Sequence, residues 1–299
     1  MQENVDCIDF YNAIIHIANV VLNRPRYKRG RYKRIKMKRL TVLITGASEG
    51  LGKSFAIESA KRGLGLVLVS LPNSGLEHLA NYLRVNFNSK VFCIEIDLTK
   101  NTSASEIFEK LSAHNIEVNV LINNAGLGNW SWFEDKNVDF YRTQIELNIT
   151  NTVLLTRLFL NHIDKSTASY ILNVGSLGGH FIVPKKQVYG ATKSFIGYFT
   201  RCLQLELSGT NVHISLLSPG GINTKPELLV MNNELKGFAK ATILEADYVA
   251  KTAMDGMLKG KKEIIPGFAN RFLVVLDKII PGFLKEIIIR RKLKSILTT

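Results

Sequence analysis

A short apolar run, Leu40-Thr41-Val42-Leu43-Ile44-Thr45, passes directly into Gly46-Ala47-Ser48-Glu49-Gly50-Leu51-Gly52 and then into a helical stretch from Lys53 to Arg62. No other part of the chain restricts the fold as much. An apolar run of this length that stops at glycine reads as a buried strand. Glycine lets the backbone bend sharply and approach a ligand closely, and the following helix turns unpaired N–H groups and the positive end of its dipole toward the bend. Strand, glycine turn and helix together form a cradle for a phosphate group. The spacing is Gly-x3-Gly-x-Gly, not Gly-x-Gly-x2-Gly. On the glycines alone, a ligand site and a plain tight turn are equally good readings.

The pattern then repeats. Val67-Leu68-Val69, Val91 to Ile96, Val118 to Ile122, Tyr170 to Val174 and Val212 to Leu217 read as strands, separated by longer helical stretches. Strands alternating with helices indicate β-α units and a mostly parallel sheet covered on both faces. The predicted class is α/β, a doubly wound Rossmann-like sheet. In such sheets ligands bind beyond the carboxyl ends of the strands. Asp97-Leu98, Asn123-Asn124-Ala125-Gly126, Gly175-Ser176 and Ser218-Pro219-Gly220 with Thr224 all fall at strand ends.

Tyr189-Gly190-Ala191-Thr192-Lys193 adds chemistry. Residues four apart project from the same helix face. An ammonium beside a phenol favours the phenolate and is expected to lower the tyrosine pKa from about 10. Tyr189 then becomes a proton donor and acceptor near neutral pH, and the Ser176 hydroxyl can hold the substrate oxygen.

These motifs, in this order, make the chain resemble the short-chain dehydrogenase/reductase family over roughly residues 40–265: Thr45-Gly-x3-Gly-x-Gly52, Asn123-Asn-Ala-Gly126, Asn148, Ser176, Tyr189-x3-Lys193 and Pro219-Gly220. The resemblance implies hydride transfer between a nicotinamide and a carbonyl or alcohol carbon. It implies that Tyr189 exchanges the proton, Lys193 lowers its pKa and binds the nicotinamide ribose, Ser176 polarises the carbonyl, and Asn148 holds a relay water. Gly46, Ser48, Glu49, Gly50, Leu51, Gly52, Ser70, Asp97, Leu98, Asn124, Ala125, Gly126, Pro219, Gly220 and Thr224 would, with Tyr189 and Lys193, surround the cofactor. Asp97 would meet the adenine amino group; Ser218, Pro219, Gly220 and Thr224 would frame the nicotinamide amide and diphosphate. An acidic residue after the second strand selects NAD. Ser70-Leu71-Pro72-Asn73 has none, which tilts the cofactor to NADP over NAD, although Glu49 stands where many NADP-dependent members carry a basic residue.

The expected activity is an NADPH-dependent reduction of a ketone or 3-oxoacyl group. The alternatives are an NAD-dependent oxidation of a hydroxysteroid or lipid alcohol, or a non-catalytic nucleotide-binding protein at a membrane. Trp130, Trp132, Phe133, His180 and Phe181 suggest an aromatic pocket rim for a lipid-like substrate, with residues 225–240 as a flap over it. The resemblance implies a homodimer or homotetramer.

Composition fixes the outer parts. The unbroken β-α pattern makes residues 40–265 one catalytic domain, with helical extensions at 1–39 and 266–299. Three scattered cysteines give no disulfide framework and suit a reducing cytoplasm, and the histidines lack metal-site spacing, so no metal is expected. Of a net charge of +14, residues 1–39 carry +7 and residues 271–299 carry +5. The apolar stretch from Phe10 to Leu22 is too short to span a bilayer, and its charges follow it, unlike a secretory signal. The far end, from Phe272 to Arg291, is broken by Pro281-Gly282 and reads as two short amphipathic helices. These basic ends either rest on the inner, anionic membrane surface or pack on the body or a second subunit. The 24–39 run lacks any nucleic-acid recognition motif, so no nucleic-acid partner is expected.

Overall fold

The computed structural model describes residues 40–224 and 240–297. The basic N-terminal stretch and nearly all of the expected flap lie outside the described residues.

Seven strands form one sheet: β1 (Thr41–Thr45), β2 (Gly65–Ser70), β3 (Val91–Glu95), β4 (Val120–Asn123), β5 (Ser169–Val174), β6 (Val212–Leu217) and, after two outlying strands, β9 (Glu263–Ile264). Their order is β3-β2-β1-β4-β5-β6-β9 and every pairing is parallel. Parallel neighbours need long crossovers. Helices supply them: α1 (Gly50–Lys61), α2 (Leu76–Phe87), α3 (Ser103–Ala113), α4 (Val138–Ile145), α5 (Asn151–His162), α6 (Gln187–Glu206) and α7 (Ala246–Leu258). The chain winds outward from β1 to β3, then returns to place β4 on the other side of β1. The doubly wound sheet read from the sequence is therefore present, and the reversal between β1 and β4 marks its ligand crevice.

Alternation along each strand splits the core in two. Val42 and Ile44 of β1 face Phe55 and Ala56 of α1, Leu76 and Leu83 of α2, and Val249 to Met257 of α7. Leu43 faces the other way, among Ile107 and Leu111 of α3 and Leu155 and Phe159 of α5. With both faces covered, strands read as continuous apolar runs, which is why they are visible in the sequence.

The sequence does not reveal β7 (Gly221–Asn223) and β8 (Ile243–Glu245), a separate parallel pair, or the two-residue β9. Helices α8 (Phe268–Ile279) and α9 (Gly282–Leu297) close the chain, with Pro281 between them, as the amphipathic pattern predicts. Among the described residues no helix is long and apolar enough to cross a membrane.

Phe159 is fully buried beneath the sheet. Phe159→Ala should destabilise the fold by about 3–5 kcal/mol, read as a lower urea midpoint at unchanged slope.

Candidate active site

The glycine turn leaves β1 at the crevice. Gly46 has φ +63° and lies so close to the β4 end that an added Cβ would stand 3.0 Å from the Ala125 Cα. A methyl on Gly52 would run into the Gly46 carbonyl oxygen and the Asn124 amide. These glycines are required by close backbone approach. The Glu49 side chain makes no capping hydrogen bond to α1, and no acid lies in the helix's first turn. Thr224 packs over the turn, 3.2 Å from a Cβ placed on Gly50.

One hydroxyl locks the crevice. Thr45 Oγ1 accepts from the backbone N–H groups of Asn124 and Ala125, at 3.0 Å each, and donates to the Ile122 carbonyl at 3.4 Å. The Asn124 amide returns bonds to the carbonyls of Thr45 (2.9 Å) and Gly46 (3.2 Å). At the end of β2 the hydroxyls of Ser48 and Ser70 lie 2.7 Å apart, and Ser74 donates to Ser70 at 3.0 Å. At the end of β3, Asp97 Oδ1 accepts from the Thr99 N–H and hydroxyl, and the Leu98 carbonyl accepts from Asn151.

The residues expected to handle the proton meet around α6. Ser176 opens a tight turn, Leu177–Gly179, and its hydroxyl accepts from the Gly178 N–H at 3.0 Å. That turn lies flat on α6. A Cβ on Gly179 would come 2.7 Å from the Lys193 carbonyl carbon, and one on Gly190 would come 2.9 Å from the Gly178 oxygen. The Tyr189 ring is flanked by Gly128 and Gly178 and hydrogen-bonds Ser176. Lys193 is buried and donates to the Val174 carbonyl at 2.8 Å. Asn148 sits in a π turn, Glu146–Thr150, that interrupts the helix between α4 and α5. Its side chain accepts from the Leu127 N–H (2.8 Å) and donates to the Leu127 carbonyl (3.0 Å) and the Thr192 hydroxyl (3.0 Å).

Here the electrostatics differ from the expectation. Burial pushes the Tyr189 phenol up from its ordinary pKa; the Ser176 hydrogen bond pulls down, but less. Burial also lowers Lys193, to about 8. The lysine nitrogen stands 5.8 Å from the Tyr189 ring centre and is bonded to a carbonyl. Removing two polar groups from water outweighs their mutual effect in this arrangement.

His180 also departs from expectation. It turns inward, 3.1 Å from Glu263 Oε1 and 3.3 Å from Ser218 Oγ, while Ser218 donates to the same Glu263 oxygen at 3.0 Å. Hydrogen bonds from His180 and Ser218 hold the Glu263 carboxyl below its ordinary range, with burial opposing them. This cluster joins the Ser176 turn, the β6 end and β9; in the sequence Glu263 is an unmarked acid. Asn270 of α8 carries no sequence signal either. It is buried, and a Cβ on Gly220 would meet its Oδ1 at 2.6 Å. The Leu177 N–H donates to the Pro219 carbonyl at 2.8 Å, closing the ring of loops. Of the expected rim, Trp130 is exposed, while Phe133 stacks on Tyr141 at 5.0 Å. Among the described residues no group of His, Cys, Asp and Glu could hold a metal ion.

Residues 40–233 match the family described as short chain dehydrogenase. The chain is 35% identical over 184 residues to 17-beta-hydroxysteroid dehydrogenase type 3 of Homo sapiens, covering 61% of this chain and 59% of that protein. It is 31% identical over 188 residues to very-long-chain 3-oxoacyl-CoA reductase-A of Danio rerio, covering 61% and 58%. The chain thus spans under two thirds of the length of these relatives. A solved short-chain dehydrogenase from Sphingobium yanoikuyae in complex with NADPH superposes with a TM-score of 0.69 at 28% identity, covering 81% of this chain and 97% of that one.

The Lys193 shift fixes the sign of a pH effect. Its folded pKa, about 8, lies below the ordinary 10.5. Between these values the unfolded chain binds a proton that the folded chain does not, so stability rises with pH. The cost below pH 8 is on the order of 3 kcal/mol. Lys186, also lowered by burial, adds in the same direction. Urea unfolding from pH 7.5 to 9.5 without added nucleotide should show this rise, and Lys193→Met should reduce it to the smaller part left by Lys186.

Proposed function

Because the chain belongs to the short-chain dehydrogenase family, we propose that it is an NADPH-preferring oxidoreductase that reduces a ketone or 3-oxoacyl carbonyl to the alcohol. The observation that carries this reading is the convergence of Ser176, Tyr189 and Lys193 on one side of a glycine cradle fit for a dinucleotide.

Gly46, Gly50 and Gly52 let the backbone approach a pyrophosphate, and α1 offers it a positive end. Asp97 and Leu98 flank the adenine end; Asn124, Ala125 and Gly126 wall the middle; Pro219, Gly220 and Thr224 close over the nicotinamide end. Ser48, Ser70 and Ser74 present hydroxyls at the end of β2, without a carboxylate at Ser70 to repel a 2′-phosphate. The complex of the similar Sphingobium protein is with NADPH. The bound nicotinamide supplies or takes the hydride. Ser176 orients the carbonyl oxygen, Tyr189 gives it a proton, and protonated Lys193 favours the phenolate left behind. The Asn148 side chain is occupied by Leu127 and Thr192, so its part in a water relay falls to the main chain of the π turn.

Two surfaces support partner readings. Leu154 of α5 and Phe195, Tyr198 and Leu205 of α6 are exposed, as a homodimer through these helices requires. Phe268, Phe272, Val275, Ile279 and Phe283 are exposed beside Arg271, Lys278 and Arg290 on α8 and α9. An apolar face with a basic border suits peripheral contact with anionic lipid. Sedimentation with phosphatidylserine vesicles should carry the protein down at low salt and release it at high salt; no binding at low salt would remove this contact.

Fluorescence titration with NADPH and NADH should favour NADPH; preference for NADH would move the reading to alcohol oxidation. Tyr189→Phe should lower ketone-dependent NADPH oxidation by about 10²–10⁴-fold while nucleotide binding persists. Undiminished turnover would overturn the role given to Tyr189.

A further inference from the structure

Two lysines, Lys185 and Lys186, precede α6, and the second lies three residues before Tyr189. Lys186 Nζ stands 5.2 Å from the Trp130 ring centre and 5.1 Å from the Tyr189 ring centre. Lys185 Nζ stands 4.5 Å over Trp132. The Lys185 carbonyl accepts from the Ser131 N–H at 3.1 Å, fastening the lysine corner to the tryptophan segment. Aromatic faces hold these ammonium groups in place. They do not supply the oxygen acceptors that an ammonium loses on leaving water.

Two acids follow the tryptophan segment in sequence. Asp135 Oδ2 accepts from the Trp132 N–H, and Glu134 is exposed. The ion pairs among the described residues include neither Lys185 nor Lys186. The start of α6 adds positive potential at the same place. A half-buried cation therefore borders Tyr189, and among the described residues no carboxylate is paired with it.

We propose that Lys186 receives a carboxylate of the substrate, so that the preferred substrate is a small oxo acid whose carbonyl lies against Tyr189. This rests on the reductase reading given above. The nearness of Lys186 to the Tyr189 ring decides the substrate's dimensions: the anion and the carbonyl stand only a few bonds apart. The phosphates of a coenzyme thioester lie much farther from their carbonyl and do not meet this requirement. In the reaction the carbonyl carbon gains the cofactor's hydride and its oxygen gains the Tyr189 proton, giving hydroxy acid and oxidised cofactor.

The chain has only two tryptophans, Trp130 and Trp132, and each lies against one of these lysines. Its intrinsic fluorescence therefore reports binding here without turnover. The full chain with NADP+ is titrated with acetoacetate and, separately, with methyl acetoacetate. The acid should bind at least tenfold more tightly than the ester. Lys186→Met should abolish that preference, and Lys186→Arg should retain most of it. Equal binding of acid and ester, or a preference that survives Lys186→Met, would overturn the proposal. NADPH oxidation is followed with both probes in parallel. Acid-selective binding without turnover of either probe would sink the reductase reading and leave the anion site standing.

Discussion

A single buried hydroxyl, that of Thr45, ties the two strands between which the chain reverses its winding. β1 and β4 are neighbours in space but far apart in sequence, and no short loop fixes their ends. Thr45 Oγ1 receives two backbone N–H groups from the β4 end, while Asn124 reaches back to two carbonyls at the β1 end. Buried backbone groups beyond the last ladder bond must be satisfied, and here each end is satisfied by a side chain from the other. The glycine turn can then press against Asn124 and Ala125, and α1 starts where a phosphate would lie.

A second layer of buried polar contacts supports the side that carries Ser176, Tyr189 and Lys193. Asn123 donates to Asn173 and Thr156, and Asn173 donates to Thr200, joining β4 and β5 to α5 and α6. Above this ladder the glycines at 178, 179 and 190 bring the Ser176 turn onto α6. Close packing has an electrostatic consequence. The same exclusion of water that fixes Tyr189 and Lys193 favours the neutral form of each. A cofactor bringing polar oxygens and a positive ring would change that balance, and the protonation of both groups would then follow nucleotide occupancy.

The elements legible in the sequence are those governed by local pattern. Val42 to Ile44 and Ile171 to Val174 read as strands because both sheet faces are covered, and the glycine turn and Tyr189-x3-Lys193 have fixed spacings. β7, β8 and β9 are not legible, since two or three residues carry no periodicity and are held by their neighbours. His180 reads as a rim residue because nothing near it in sequence announces Glu263 or Ser218. The direction of the Tyr189 shift is hidden for a related reason. Spacing shows that a lysine shares the helix face, whereas burial depends on β5, the Gly128 segment and the Ser176 turn arriving together. Lys186 is one more surface charge in the sequence; only the fold sets Trp130 and Tyr189 on either side of it.

The π turn at Glu146–Thr150 has a meaning for how this protein can change. It holds one more residue than an α-helical turn, and that residue gives Asn148 its aim at Leu127 and Thr192. Deleting one residue there would restore regular helix and take Asn148 off its partners, while α5 would keep the face it packs on the sheet. The extra residue is taken up within one turn, so a change of length there alters the Asn148 contacts and not the packing of α4 and α5. The segment is therefore a place where one residue more or less is felt by a single side chain and not by the scaffold around it.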